Sequence, residues 1–525
     1  MIPGDQTTIP RRSSSNALAS RITLDELLRQ IAARRPDALA LADPANRASF
    51  TEGMPRRLTY SEADRMVSAI AGRLCRMGLP TDAIIGIQLP NTVENILTIL
   101  GVLRAGMIAA PLPLLWRRAD AVAALARVGA KALITCSRVG NFDHGLLATR
   151  IAADVFAIRY VCGFGENLAD GLVPMDELFT VEKLDPIALL DRDGDAAAHL
   201  AVVNFEIGEH GPVAVARRHL ELLAGGMAAL LESRLAQGAQ IVSTIAPSCF
   251  AGLALTLVPW LLTGGTLHLH HGFSGDVLAR QYHDEACSAL ILPAPVAFPL
   301  AEAGLFARDN PAAVLAAWHC PDRLAASPLW RQGDGDLIDF AIFGEAGFIA
   351  GCRGEDGRPR PLPLGPVLFP REGPGAAPLA ELDLTALGTV AIRGPMVPHH
   401  HFPPRVDRSD QPHFAIRGDG YVDTGFAGRI DTVRQSVVVT GPPAGLVNVG
   451  GYRFALRQIL EMVARIDVNA TLTAPPDPLL GQRFVGTASD CAAMQVALGA
   501  HGVNPLISAA FSEAGARDLR QAAAG

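Results

Sequence analysis

Lysine is almost missing from this chain. Only Lys131 and Lys183 occur among 45 basic residues, which leaves 43 arginines, and no lysine follows Lys183. Chemistry that needs a lysine ammonium in the second half is therefore excluded, and a guanidinium does not replace a compact point charge. Charge is sparse overall, at 18% of residues against a usual ~25%. The net charge is −7, so no basic field points to nucleic acid or an anionic membrane. Eight cysteines are scattered without a CxxC pair. That pattern fits a reduced, cytosolic protein better than a disulfide scaffold or a zinc ribbon. The first twenty residues have no apolar core of the kind a signal peptide needs. GxSxG, HExxH, Walker A and GxGxxG signatures are all missing, which weakens hydrolase, zinc-protease and dinucleotide readings. Residues 241–275 contain no Asp, Glu, Lys or Arg, yet their apolar centre at 250–262 holds only 13 residues and is interrupted by Pro259. A membrane-spanning helix needs about 20, so this stretch is read as buried core.

What is present is a large apolar fraction, 49% over 525 residues, enough for about two to four domains. Residues 1–20 read as a flexible tail. Beyond Leu58 short apolar runs alternate with helical patterns. Ala83 to Leu89 is of strand length and closed by Pro90; Asn91 with Glu94 resembles a capping box opening a helix to about Arg104; Gly106 stops it. Strand Met107–Leu112, helix Ala119–Val128 and strand Ala132–Thr135 follow. This β-α-β-α-β order at short loop lengths predicts a parallel sheet covered by helices, an α/β class. After a connector at 184–199 the alternation resumes, with strand Leu200–Phe205, a glycine-containing loop at 208–212 and a helix around 217–235. Residues 353–378, dense in Gly, Pro and Arg, read as loop and short strands. Leu456, Ile459, Leu460 and Val463 mark an amphipathic helix, preceded by a linker-like Gly-Pro-Pro-Ala-Gly at 441–445.

Seven segments in this order carry a resemblance. Leu58-Thr59-Tyr60-Ser61-Glu62 resembles an LTYxEL opening, Leu103 to Leu112 a KAGxxxxPL segment, and Asn204 to His219 stands where a Thr/Ser/Gly-rich phosphate loop would. Phe343-Gly344-Glu345-Ala346-Gly347 matches the place of YGxTE, Gly388 to Val397 that of GExxxxGxxV, and Gly420 to Gly425 that of GWFxTGD. Gly441 to Gly451 keeps the spacing of GRxKDxIxxxG. From about residue 22 to 485 the chain resembles the adenylate-forming superfamily of acyl- and aryl-acid CoA ligases and peptide-synthetase adenylation domains. The resemblance implies a large N-terminal domain of stacked α/β subdomains, 21–443, and a small α+β C-terminal domain, 444–525, with Ala444 at the hinge position. It implies ATP, Mg and CoA as cofactors of an active member, and a carboxylic acid or acyl ligand. The family-equivalent nucleotide positions are Gly208, Glu209, His210, Gly211, Phe343, Gly344, Glu345, Thr424 and Gly425.

The chemistry at those positions has changed. The phosphate segment keeps two glycines and a proline but neither hydroxyls nor lysine, and Glu206 and Glu209 bring charge that repels a triphosphate. Ala346 and Gly347 replace the Thr and the magnesium-associated Glu, Phe426 the ribose-binding Asp, Pro442 the Arg, and Ala516 the C-terminal lysine. Three hypotheses follow. A binding or regulatory protein on the ligase fold, engaging an acyl ligand or a partner protein, leads. An active, divergent acyl- or aryl-acid CoA ligase, favoured by the preserved order of segments and by Gly450-Gly451-Tyr452-Arg453, is the alternative. Different chemistry in the old cleft, using Glu206, Glu209 or Glu345 with His210, is the third. The cleft is expected to be acidic or apolar. The triplets His268/His270/His271 and His399/His400/His401 read as solvated or locally bonded rather than metal-binding. Asp191 to Asp195 reads as a connector turn. No metal site, nucleic acid partner or membrane span is expected, and the expected location is cytoplasmic.

Overall fold

The computed structural model describes residues 22–180, 195–307, 311–331, 333–370, 377–400, 402 and 416–512. The 1–20 tail, Asp191 to Gly194, His401 and Ala516 lie outside them. The architecture is α/β, in layers built on three large sheets. The strands Ile108–Pro111, Ile84–Ile87, Ala132–Cys136 and Tyr160–Phe164 lie side by side and parallel in one seven-stranded sheet. Their residues are mostly buried, in keeping with strands read as continuous apolar runs. The antiparallel pair Leu200–Gly208 and Gly211–Arg218 forms one edge of that sheet. An eight-stranded sheet carries the strands Gln240–Ser243, Thr266–Leu269, Ala289–Pro293, Ala313–Trp318 and Leu337–Ile342. A six-stranded antiparallel sheet is made from strands between Leu362 and Gly441.

The apolar run lies inside the protein, as its sequence implies. It forms the helical stretch from Phe250 to Thr263, with a wider π turn at Leu253–Leu257. Helix His219–Ser233 lies against it through two glycines. A Cβ at Gly226 would come within 2.1 Å of Val258 Cγ1, and one at Gly225 within 2.6 Å of Phe250 Cζ. Backbones this close exclude any side chain at those positions. Among the described residues no helix is long and apolar enough to cross a membrane.

Two local readings fare differently. Thr59 and Glu62 form a reciprocal capping box that opens helix Tyr60–Arg76. Tyr60 then donates to the Gly265 carbonyl at 2.7 Å and stacks on Trp260, which explains the opening motif by anchoring rather than by chemistry. Asn91 and Glu94, by contrast, make no capping box. Helix Val93–Arg104 begins after Thr92, and Asp43 accepts the Val93 N–H at 2.9 Å. Asn91 instead donates to the Ser243 and His270 carbonyls, tying the two parallel sheets together. Glu94 is drawn into ion pairs with Arg47 and Arg56.

From Leu446 onward the chain forms small antiparallel sheets with helices Leu456–Ile466 and Cys491–Ala500. They surround a separate apolar cluster that includes Val447, Phe454, Ile459, Val463, Phe484 and Phe511.

Candidate nucleotide cleft

The edge hairpin supplies the first wall of the cleft. Its strands stay in register to Gly208↔Gly211, so Glu209 and His210 alone make the turn, and Gly211 takes φ +105°. The expected loop at 208–212 is therefore a tight two-residue hairpin. Its strand residues exchange backbone bonds up to the turn, and a nest of consecutive free N–H groups around a phosphate has no length in which to form. Glu209 and His210 are exposed at the tip.

Glu206 points inward, two residues before the turn. Its carboxylate accepts from Arg453 and from the Glu345 backbone N–H. Gly344, with φ +58°, makes room for it, since a Cβ there would lie 2.1 Å from Glu206 Oε2. Glu345 follows and is buried. Both its carboxylate oxygens face the Phe250 N–H, at 3.2 and 3.1 Å. Burial pushes the Glu345 carboxyl up to about 8, with Arg217 pulling it down and Glu206 pushing it further up. Arg217 is fully buried, donates to the Glu345 and Met396 carbonyls and lies 3.6 Å over the Phe250 ring. Burial lowers its guanidinium to about 10.

The second wall is aromatic. Phe343 and Phe426 are buried and meet edge-to-face, ring centres 5.7 Å apart, with the Arg453 guanidinium 5.0 Å over Phe426. The Thr424 hydroxyl is committed to the Val390 carbonyl at 2.7 Å, and Gly425 turns at φ +73° against Pro443. Gly347, with no side chain, presents no carboxylate to a metal; a Cβ there would lie in ordinary contact with Ile392 and Met396 at 3.4–3.5 Å. The cleft is thus apolar around Phe343 and Phe426. Its acidic part is matched by arginines, a neutralisation that sequence reasoning did not foresee. The residues present do not fit a magnesium–triphosphate–ribose group: Glu206 is committed to Arg453 and the Glu345 N–H, the Thr424 hydroxyl to the Val390 carbonyl, and Phe426 is a buried ring.

The small C-terminal unit closes over this assembly. Besides Arg453 on Glu206, Gln458 donates to the Glu209 carbonyl at 3.1 Å, and the Tyr452 hydroxyl accepts the Leu115 N–H at 3.3 Å. Asn448 donates to the His319 carbonyl at 3.2 Å. Ala444 is exposed in the short segment between Gly441 and Leu446, beside the hairpin tip. The positions that the resemblance assigns to nucleotide are accordingly brought together, with Glu209 and His210 exposed at the hairpin tip and Glu209 beside Gly445. The set Glu206, Glu209, Glu345 and His210 does not assemble as one catalytic group. Arg217 was not singled out in the sequence, although it follows the apolar run Val213 to Ala216, a readable hint of burial. Arg453 was read there as part of Gly450 to Arg453, a segment favouring an active ligase, but its partner Glu206 lies 247 residues away.

Among the described residues no three His, Cys, Asp or Glu side chains converge as metal ligands. His268 and His270 are buried and bonded to Gln240 and Gln281, at 3.0 and 2.7 Å. Local bonding is as expected; solvation is not.

Known proteins place this architecture. The fold matches the amide bond synthetase McbA from Marinactinospora thermotolerans over 93% of this chain and 94% of that one, with TM-score 0.70 at 18% identity. The layers are those of an adenylate-forming ligase. The chain belongs to the family of AMP-binding enzymes, whose model matches residues 28–316. It is 28% identical over 205 residues to the 2-hydroxy-7-methoxy-5-methyl-1-naphthoate–CoA ligase of Streptomyces carzinostaticus, covering 37% of this chain and 34% of that protein. It is 32% identical over 146 residues to the salicyl-AMP ligase / salicyl-S-ArCP synthetase of Mycobacterium tuberculosis (strain ATCC 25618 / H37Rv), covering 27% of this chain and 25% of that protein. The matched segments span about a third or less of these relatives.

Proposed function

We propose that this chain is a member of the acid-ligase family that no longer carries out ATP-dependent adenylation and acts as a binding or regulatory protein. Its partners would be a carboxylic acid or acyl ligand, or a second protein. The observation that best supports this reading is the packed series Glu206–Arg453–Phe426–Phe343, which occupies the positions where phosphate and ribose would be held. Loss of one preorganised donor typically costs about 10²–10³ in rate, and here the donors are replaced together. With Ala444 as the hinge, the unit after residue 443 is held docked by Arg453. A second reading, an active divergent ligase, draws on Arg453 itself. Its side chain is 11% exposed and is a cation that could be handed from Glu206 to a phosphate.

Calorimetry with Mg-ATP and a stable acyl-adenylate analogue separates the two, followed by a pyrophosphate-release screen over aliphatic and aromatic acids. The proposal expects no heat of binding up to millimolar nucleotide and no acid-dependent pyrophosphate. Micromolar binding of either nucleotide, or pyrophosphate release with any acid, refutes it.

A further inference from the structure

A cavity of about 400 Å³ lies away from the cleft and shares none of its residues. Its position follows from topology. In the seven-stranded sheet the chain leaves Ile84–Ile87 for its neighbour Ile108–Pro111 on one side. It leaves Ala132–Cys136 for Tyr160–Phe164 on the other. These adjacent parallel strands send their connections in opposite directions, and the loops after them diverge. Crevices at such switch points, outside the carboxyl ends of the strands, are where open α/β sheets bind ligands. The cavity is lined by Leu89, Pro90 and Glu94 after the first strand and by Cys136 and Ser137 at the end of the second.

Its volume lies in the small-molecule range, and its wall is chemically asymmetric. Arg47 and Arg56 line it against four acids, Glu52, Glu94, Glu166 and Asp176. Both cations are already engaged: Arg47 with Asp43 and Glu94, Arg56 with Glu94 and Asp176. Arg56 also lies 3.8 Å over the Phe179 ring. Glu52 is served by Ser137 and Asn167 and pairs with Arg138 at 3.6 Å, while Glu166 has no ion pair among the described residues. Glu94, 1% exposed, accepts both arginines on Oε1, while its Oε2 has no hydrogen-bond partner. That oxygen is sealed from the cavity, so it adds negative potential to the wall without touching a ligand itself. Met54, Pro55, Phe164 and Phe179 provide the apolar remainder of the wall.

We propose that this switch-point cavity is a second ligand site, selective for a small ammonium compound with an aromatic or apolar body, held at the Glu94–Asp176 wall. An anion would face an acidic excess, and a neutral compound would leave it uncompensated. The site goes beyond the reading of the cleft and stands whether or not nucleotide binds there.

Titration calorimetry of the full chain with phenethylammonium, and with 2-phenylethanol and 3-phenylpropionate in parallel, tests it. Phenethylammonium should bind at millimolar concentration or below, at least tenfold tighter than either isostere. Glu94→Gln should weaken it at least tenfold. Because Glu94 also neutralises two arginines, Met54→Trp provides a check that leaves that network intact. Met54 is 75% exposed, and an indole at this wall should block entry and abolish binding. No binding of the ammonium at 10 mM, equal or better binding of an isostere, or undiminished binding to Met54→Trp each overturns the proposal.

Discussion

Substituting Gly344 by Ala should break the contact between the two units without removing either charge. Two costs combine. Gly344 has φ +58°, and an alanine held there costs roughly 1–2 kcal/mol. The new Cβ would also lie 2.1 Å from Glu206 Oε2 and 2.7 Å from Arg453 Nη1, so the carboxylate must move off the Glu345 N–H and Arg453. Hydrogen bonds to a charged group are worth about 1.5–3 kcal/mol, and the total becomes about 3–5 kcal/mol. The tightest clash is with Glu206, and the end of the Arg453 side chain, once that carboxylate is gone, is free to swing aside, so Glu206→Ala should make room for the new Cβ. In the double variant Gly344→Ala should cost only the backbone part, about 1–2 kcal/mol beyond Glu206→Ala alone. Urea midpoints of the four proteins, compared where m is unchanged, measure this coupling. Simple additivity of the two single effects would refute the claim that Glu206 and Gly344 are sterically coupled.

Two other outcomes follow from the same cleft. Phe426→Asp, which restores an acid where a ribose ligand would sit, should destabilise by about 3 kcal/mol or more, because the carboxylate replaces a fully buried ring beside Phe343. It should not create Mg-ATP binding, as calorimetry would register; micromolar affinity in that variant would show that one residue alone blocks the site. Glu345 gives a pH signature. Its folded pKa, pushed up to about 8 by burial, lies above its unfolded value. The native state thus keeps a proton that the unfolded chain has lost, and stability falls as pH rises to about 8, at up to about 1.4 kcal/mol per unit. Five histidines depressed by burial, His144, His268, His270, His271 and His319, make stability rise with pH around their unfolded value near 6.5, so the Glu345 contribution is read as a difference between the parent and Glu345→Gln. The parent's urea midpoint should fall relative to that of Glu345→Gln as pH rises from about 6.5 to 8, and a pH-independent difference would assign the titration elsewhere.

The central fold was legible because its signals are local. The strands at 84–87, 108–111 and 132–136 are apolar runs bounded by Gly, Pro or a helix pattern, and each was placed within two residues at either end. Errors arose where a local pattern had a distant competitor. Asn91 and Glu94 have the spacing of a capping box, but Arg47 and Arg56 offered Glu94 a buried ion pair, and the box did not form. At 208–212 the expectation of a phosphate loop obscured a simpler signal, two glycines flanking a two-residue turn between strand residues.

The altered residues of the cleft read in sequence as separate losses, one motif at a time. In three dimensions they depend on one another. Phe426 packs on Phe343, Arg453 covers Phe426 and binds Glu206, and Glu206 requires glycine at 344. The acid at 206 has a cation and the ring at 426 has an aromatic partner, so these residues form one packed unit. Changing one position meets the other four, and the double variant of Glu206 and Gly344 measures the first link of that dependence.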